Sequence, residues 1–399
     1  MLTIALYLYS LLHLLSSTAV TTPPYTPTDY FLLNCGSSSN ATSQGGRSWD
    51  GDATSKFSLS NIGTTSSPST ATQQDSSVTD IPFLTARIFT SKFTYTFPVS
   101  FGPKFIRLYF YPATYSNLDR SKSYFSVTTA NYTPLTNFSA FLTVPALVPK
   151  QSFLIKEFIV NVRDTQKLDI TFNPSPNLYA FINDIEVVSI PNNFYMKGDL
   201  NPIPLVGSQQ PFYIDNNTAL ETLYRLNVGG NDVSVNDDTS MYRRWHQDDL
   251  YIYGGVGLAP HHDVPIWYTN DAPNYTAPAT VYTTARTMGN DPQLNLQYNL
   301  TWIFTVDSGF RYLARLHFCE FQLEVTRENE RVFFVYMKNQ TANPEVDVIH
   351  LSRGNIIPVF KDYVLLVPPV DGLRSKVDLW FAMNPNMDSE PWSAELMQS

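Results

Sequence analysis

Charge and sulfur are both scarce in this chain. Asp, Glu, Lys and Arg make up 15% of its 399 residues, well under the usual quarter, which argues against coiled coils and charge-rich disorder. Only Cys35 and Cys319 supply thiols, each inside an apolar segment, FLLNCG and RLHFCEF. Neither has a second sulfur nearby, so a cysteine-held metal has nothing to stand on. Two buried free thiols are expected, with one long-range disulfide as the alternative. Basic residues are the rarer sign: 26 Lys and Arg face 35 Asp and Glu, for a net charge of −9. A surface of that sign excludes a broad nucleic-acid footprint, makes anionic membranes and polysaccharides poor partners, and suits a basic partner.

Long apolar runs are missing beyond the first nineteen residues. That opening run, MLTIALYLYSLLHLLSSTA, ends in small residues with Ser17 and Ala19 at a −3/−1 cleavage spacing. It is shorter than the roughly 20 residues a membrane span needs, so residues 1–19 read as a secretory signal segment. No second run of spanning length follows, and a soluble secreted chain is expected.

Catalytic signatures are missing as well. There is no Gly-x-Ser-x-Gly elbow, no Ser/His/Asp constellation, and no spacing that singles out a carboxylate pair. His261-His262-Asp263 is the densest group of metal-ligand types, but adjacent histidines on an extended segment point opposite ways, so a solvated loop is expected. Gly254-Gly255-Val256-Gly257 lacks the Gly-Lys-Ser/Thr ending of a phosphate cradle and reads as a turn. No catalytic residue, cofactor or metal is predicted.

What the chain has in quantity is Tyr (24), Phe (26) and Pro (28), a balance suited to β-rich packing. It also has an internal repeat. Asn34-Cys35-Gly36 is echoed by Asn227-Val228-Gly229, and Arg-Ser-Trp49 by Arg-Arg244-Trp245. Thr-Ala86-Arg87 recurs as Thr-Ala285-Arg286, the strand around Arg107 as that around Arg315, and Leu168-Asp169-Ile-Thr-Phe172 as Val377-Asp378-Leu-Trp-Phe381. The offset drifts from 227 − 34 = 193 to 378 − 169 = 209, as two homologous domains with loop insertions in the second would give. Alternating runs such as Phe93-Thr-Tyr95-Thr-Phe97 and the buried-type run Arg331–Met337 predict short strands in jelly-roll sandwiches. The expected layout is residues 29–190 for the first domain, a Pro/Gly-rich linker over 191–211, a second domain over 212–386 and a divergent tail over 387–399. The strand Tyr179–Val188 that closes the first copy has no evident counterpart after Phe381, so the second domain is expected to be truncated at its last strand.

For ligand binding, the stretch from Asp232 to Asp249 stands out. Asp237, Asp238, Asp248 and Asp249 surround Tyr242, Arg243 and Trp245, and rings beside carboxylates can hold a sugar or clamp the Lys and Arg of a peptide. Asp237, Asp238, Tyr242, Arg243, Asp248 and Asp249 are the candidate ligand-binding residues. The repeat-equivalent Trp49 and Trp245 are expected in the core. Asn-x-Ser/Thr sequons at Asn40, Asn131, Asn137, Asn216, Asn274, Asn299 and Asn339 are the candidate glycosylation sites.

These segments carry a resemblance. LLNCG with its downstream SW, TARIF, FSVTTANYTPLTNFSA, LNVGG, DDTSMYRRW, APATVYTTARTMG, YNLTWIFTVDSGFRYLARLHFCEF and PVFKDY look like the tandem malectin-like ectodomain of the plant FERONIA/THESEUS/ANXUR-type receptor-like kinases, over about residues 29–386. The resemblance implies an all-β fold of two tandem malectin-like β-sandwiches. It implies an extracellular (apoplastic) place, at the plasma membrane if the chain belongs to a full receptor. The implied partners are basic secreted peptides of the rapid-alkalinisation-factor type, GPI-anchored co-receptors and cell-wall glycan. The family's membrane helix and kinase do not follow Pro385 here, so no catalysis is expected of this chain. A secreted carbohydrate-binding, lectin-like protein is the alternative function, and a wall-acting hydrolase the third.

Overall fold

The computed structural model describes residues 24–386 apart from 54–56, 58–65, 199–200 and 290. The signal segment and the 387–399 tail therefore lie outside the described residues. Among the described residues no helix is long and apolar enough to cross a membrane. The described residues form two compact units: those of 26–201 with 214–224, and those of 24–25, 202–213 and 225–386. The stretch expected as a linker is thus divided. Residues 202–213 pack in the second unit, through the pair Ile203–Pro204 and Pro211–Phe212, while Leu220–Thr222 adds an edge strand to the first.

In the first unit the larger sheet runs Leu220–Thr222, Leu154–Val162, Gly102–Phe110, Asp184–Ser189, Tyr30–Asn34, Ser48–Gly51, Ala41–Thr42. Its central strands are covered on both faces, and eight of the nine residues of Gly102–Phe110 are buried. A four-stranded sheet runs Phe93–Pro98, Lys167–Pro174, Phe125–Thr129, Tyr132–Phe138. Here the sequence alternation becomes geometry: Phe93, Tyr95 and Phe97 are buried while Thr94 and Thr96 face outward, Thr94 bonding Thr171 across the ladder at 2.7 Å. The two sheets enclose an aromatic core in which Phe89 stacks on Phe93 and Phe172, with centroids 4.8 and 5.2 Å away. Each buried ring of this kind stabilises by roughly 1.5–3 kcal/mol relative to exposure.

The second unit has a five-stranded sheet in the order Ile252–Tyr253, Leu300–Asp307, Lys376–Pro385, Val332–Met337, Gln340–Asp347. Two further pairs join Phe310–Phe318 to Val359–Val367 and Leu226–Asn227 to His246–Gln247. A one-turn helix, Val348–Ser352, is capped by Asp347, whose side chain accepts from the His350 N–H, and ends on Arg353 in the left-handed conformation. Strands dominate and the helices are single turns, as the all-β expectation required.

The repeat found in the sequence has the same local geometry in both units. Asn34 Oδ1 accepts from Thr85 Oγ1 at 2.6 Å, and Asn227 Oδ1 from Thr284 Oγ1 at 2.8 Å. Arg107 lies opposite Glu157 on the next strand and Arg315 opposite Asp362. Gly36 and Gly229 both sit at positive φ, and a Cβ on them would come within 2.2 and 2.0 Å of the Ala86 and Ala285 carbonyl oxygens. Only glycine fits there, which is why the repeat preserves it. Both tryptophans are core residues, Trp49 edge-on to Tyr109 and Trp245 edge-on to His317. Cys35 is buried, Cys319 is half-buried, and neither forms a disulfide. Burial raises both thiols, Cys319 to about 12, so both stay protonated at neutral pH.

Candidate functional site

The acidic stretch of the second unit is a loop pinned at its base. Val233 and Trp245 exchange both backbone hydrogen bonds, at 2.8 and 3.1 Å, and enclose residues 234–244. Ser234 starts the turn: its carbonyl accepts from the Asp237 and Asp238 N–H groups, and its hydroxyl donates to Asp237 Oδ2 at 2.6 Å. Tyr242, at φ 55°, turns the chain back toward the strand.

Asp238 points inward from this loop. Its carboxylate accepts from the Arg243 backbone N–H at 2.8 Å, from Arg243 Nε and Nη2 at 3.0 and 2.9 Å, and from Trp245 Nε1 at 3.1 Å. Arg243 donates further to the Thr276 and Tyr275 carbonyls and to Thr239 Oγ1. Both side chains of the pair are within 1% of full burial. This bidentate pair holds the loop to the segment around 275.

Asp248 is buried in a second clamp. It accepts from the Gly229 N–H at 3.0 Å, from Arg286 Nε and Nη2 at 2.6 and 2.8 Å, and from Trp302 Nε1 at 2.8 Å. Asp52 repeats that arrangement in the first unit, accepting from the Gly36 N–H at 2.8 Å, from Arg87 Nε and Nη2 at 2.5 Å each, and from the Tyr95 hydroxyl at 2.8 Å. Strand, turn glycine and arginine are thus tied through one carboxylate in both units. The signal for it was in the sequence, because Asp52 and Asp248 each follow the repeat tryptophan by three residues and Arg87 and Arg286 end the Thr-Ala-Arg match.

Of the six candidate ligand-binding residues, the structure gathers Asp237, Asp238, Tyr242 and Arg243 on one loop and Asp248 and Asp249 just beyond it. They do not share one surface. The Asp238, Arg243 and Asp248 side chains face inward, whereas Asp237 is exposed and the Asp249 side chain keeps 66% of its accessible surface while touching Arg286. Nearby Asp232, exposed beside Arg244 and His246, also reaches the surface. Burial works to raise its carboxyl, but the Gln247 N–H, His246 and the Arg244 guanidinium hold it below the usual range. His261, His262 and Asp263 are exposed. Six of the sequon asparagines (Asn40, Asn131, Asn137, Asn216, Asn299 and Asn339) are exposed, and Asn274 is half-buried.

The first unit carries a feature that the sequence did not single out. A cleft of about 410 Å³ is lined by Gln73, Gln74, Asp75, Tyr111, Arg120 and Phe141 among others, with the Arg120 guanidinium 5.1 Å from the Phe141 ring centre. The Tyr111 hydroxyl accepts from the Asp75 N–H at 2.9 Å and fixes the rim. These residues are dispersed over 70 positions and share no motif, so only the fold assembles them.

Two β-sandwich units, each tied by the same buried aspartate–arginine clamp, make this a tandem malectin-like protein. The chain belongs to the malectin-like domain family, whose model matches residues 33–369 and so takes in both clamps. It is similar to the receptor-like protein kinase FERONIA of Arabidopsis thaliana, 48% identical over 388 residues, which are 96% of this chain and 42% of that protein. It is 38% identical to the receptor-like protein kinase ANXUR1 of the same organism, over 90% of this chain and 41% of that one. The chain therefore spans about two fifths of the curated relatives it matches, and the match is to their ectodomains, with no kinase domain in these 399 residues. Among solved structures, a complex of the plant peptide RALF23 with FER and LLG2 matches with a TM-score of 0.82 at 46% identity, covering 92% of each chain.

Proposed function

We propose that this chain is a ligand-binding ectodomain of the FERONIA type that recognises a basic secreted peptide together with a GPI-anchored co-receptor, and does no chemistry of its own. The observation that carries this reading is the similarity, at TM-score 0.82 over nine tenths of both chains, to FER in complex with RALF23 and LLG2. The net charge of −9 favours a cationic ligand in the same direction. Within the candidate group the roles divide. Asp237 and Asp249 meet the ligand, while Asp238 with Arg243, Asp248 with Arg286, and Tyr242 hold the loops that present them. The chain is secreted, with residues 1–19 as its leader, works in the extracellular space or at the plasma membrane, and carries glycans on the exposed sequons.

The test is binding of RALF23 to the immobilised chain and to the Asp237→Asn/Asp249→Asn variant. Saturable binding weakened in the variant supports the reading. Absence of binding by the folded chain, with and without LLG2, refutes it.

A carbohydrate-binding reading is favoured by one observation, the cleft of Tyr111, Phe141, Arg120 and Asp75, where ring faces and fixed polar groups meet as sugar recognition requires. Titration with neutral and acidic wall oligosaccharides tests it. Binding lost in Arg120→Ala supports the cleft, and no heat with any oligosaccharide removes this reading.

A further inference from the structure

The four-stranded sheet of the first unit and the five-stranded sheet of the second share a matched ladder. In each, the repeat aspartate accepts from a threonine on the next strand, Asp169 from Thr96 at 2.6 Å and Asp378 from Thr305 at 3.3 Å. Beyond that pair their outer faces diverge. In the first unit the following positions are polar: Thr94 bonds Thr171 across the ladder, and Asn173 lies opposite Ser126. The repeat offset of 378 − 169 = 209 carries Thr171 onto Trp380 and Asn173 onto Ala382. There, Ile303 lies opposite Trp380, and Ala382 opposite Tyr336. Trp380 keeps 37% of its surface, and Tyr253, opposite Thr301, keeps 58%. The outward face of an antiparallel sheet is normally the polar one, and exposed rings gathered on it mark a contact surface.

The rings fall in two pairs. Tyr253 meets Trp380 edge-on, with centroids 5.2 Å apart, and Phe334 stacks on Tyr336 at 5.7 Å. Between the pairs the register sets two small side chains, Thr301 and Ala382, opposite each other. At the head of this strip Asn384 lies opposite Phe334, and its side-chain amide donates to Asn299 Oδ1. Asn299 is exposed and opens the sequon Asn299-Leu300-Thr301. The bond uses its oxygen, so Nδ2, the atom on which an N-glycan is built, stays outside it. From Asn384 to Trp380 is roughly 13 Å of strand, the span of a few sugar rings. In the first unit the same ladder positions read Thr90-Ser91-Lys92, which is not a sequon. The aromatic strip and the sequon at its head thus occur together in one unit, and the other has neither.

We propose that the N-glycan of Asn299 folds back onto the second unit and lies along this strip, its first sugars held between the Tyr253/Trp380 and Phe334/Tyr336 rings. This rests on the glycosylation of the exposed sequons proposed above. The C–H face of a sugar ring packs against the electron-rich face of an aromatic ring, while its hydroxyls stay in water. The glycan is then a fixed cover that keeps an apolar sheet face from other partners, and peptide recognition takes place elsewhere on the chain.

Glycopeptide mapping of the secreted full chain reports occupancy of Asn299, and hydroxyl-radical footprinting then reads the rings. Enzymatic deglycosylation leaves Asn299→Asp, an acceptor that still serves Asn384, and should raise oxidation of Tyr253, Tyr336 and Trp380 severalfold. Asn299→Gln should do the same, while Asn131→Gln, which strips a glycan from the first unit, should leave these rings unchanged. The glycosylated chain should also melt higher in its second transition than the deglycosylated one, and Tyr336→Ala/Trp380→Ala should abolish that difference. A bare Asn299 would remove the glycan reading at this sequon and the proposal with it. An occupied Asn299 whose removal leaves ring oxidation unchanged would overturn the proposal alone. Protection that persists without the glycan and grows with protein concentration would assign the strip to a second copy, and overturn it too.

Discussion

Asp248→Asn is the substitution that most sharply separates a structural clamp from a ligand contact. The change keeps the side chain's shape but removes its charge, and sets an amide where Arg286 and Trp302 donate. The Asp248 side chain is fully buried and that of Arg286 keeps 6% of its surface, so the guanidinium would be left with the exposed carboxylate of Asp249 as its counter-charge and none on its buried side. Hydrogen bonding to Asp248 raises the pKa of Arg286 further, so the arginine cannot discharge to escape the penalty. Breaking such a pair costs about 3–5 kcal/mol. For a unit of this size that corresponds to a fall in Tm of roughly 6–20 °C. Scanning calorimetry of the full chain should show the second unit's transition moving down by that amount and the first unit's staying in place. Asp52→Asn should do the reverse. The double variant Asp248→Leu/Arg286→Met should recover part of the loss, because replacing both partners leaves no orphaned charge. A shift under about 1 kcal/mol for Asp248→Asn, with peptide binding abolished, would refute the clamp and make Asp248 a ligand contact.

Acid should weaken the second unit through His317, which packs between Trp245, Tyr282 and Phe360 and hydrogen-bonds the Tyr282 hydroxyl at 2.8 Å. Burial, then Arg315, Arg243 and Arg225 against Asp362, lower its pKa to about 3. Its neutral form is stabilising above the unfolded value near 6.5, and that contribution is lost as pH falls from there toward 3. With allowance for its partial exposure, about 1–2 kcal/mol should disappear by pH 5, and His317→Tyr, which installs the residue Tyr109 of the first unit, should flatten the melting profile. If the steering role of Asp237 and Asp249 is right, peptide affinity should fall as salt rises from about 0.05 to 0.5 M, with a shallower slope in the double Asn variant; identical slopes would move the contact elsewhere. Non-reducing peptide mapping should recover Cys35 and Cys319 as separate thiols, and a bonded pair would contradict their environments.

The sandwiches were legible in the sequence because their signals are local and physical. Phe93, Tyr95 and Phe97 alternate with threonines, and the pleat turns that alternation into one buried face. Trp49 and Trp245 could be assigned to the core because the repeat placed both beside the same turn. The division of the acidic stretch was not legible. Asp237 and Asp238 are neighbours of one residue type among the same polar residues, and only tertiary contact with Arg243 and Trp245 turns the second inward. The edge strand Leu220–Thr222 was missed for a related reason: three residues have no period to read, and what makes them a strand is Leu154–Val162 beside them. The cleft around Tyr111 had no sequence signal, since its walls come from loops joined only by the fold.

The central claim is that this chain is a receptor ectodomain that takes a cationic peptide jointly with a co-receptor, and a single calorimetric experiment bears on it. The secreted chain, with its two calorimetric transitions verified, is titrated at low salt with RALF23 in the presence and absence of LLG2. The account predicts saturable binding of the peptide that tightens when LLG2 is present, with the three components migrating as one complex. No heat and no complex in either arm, from protein that melts as two folded units, would contradict it.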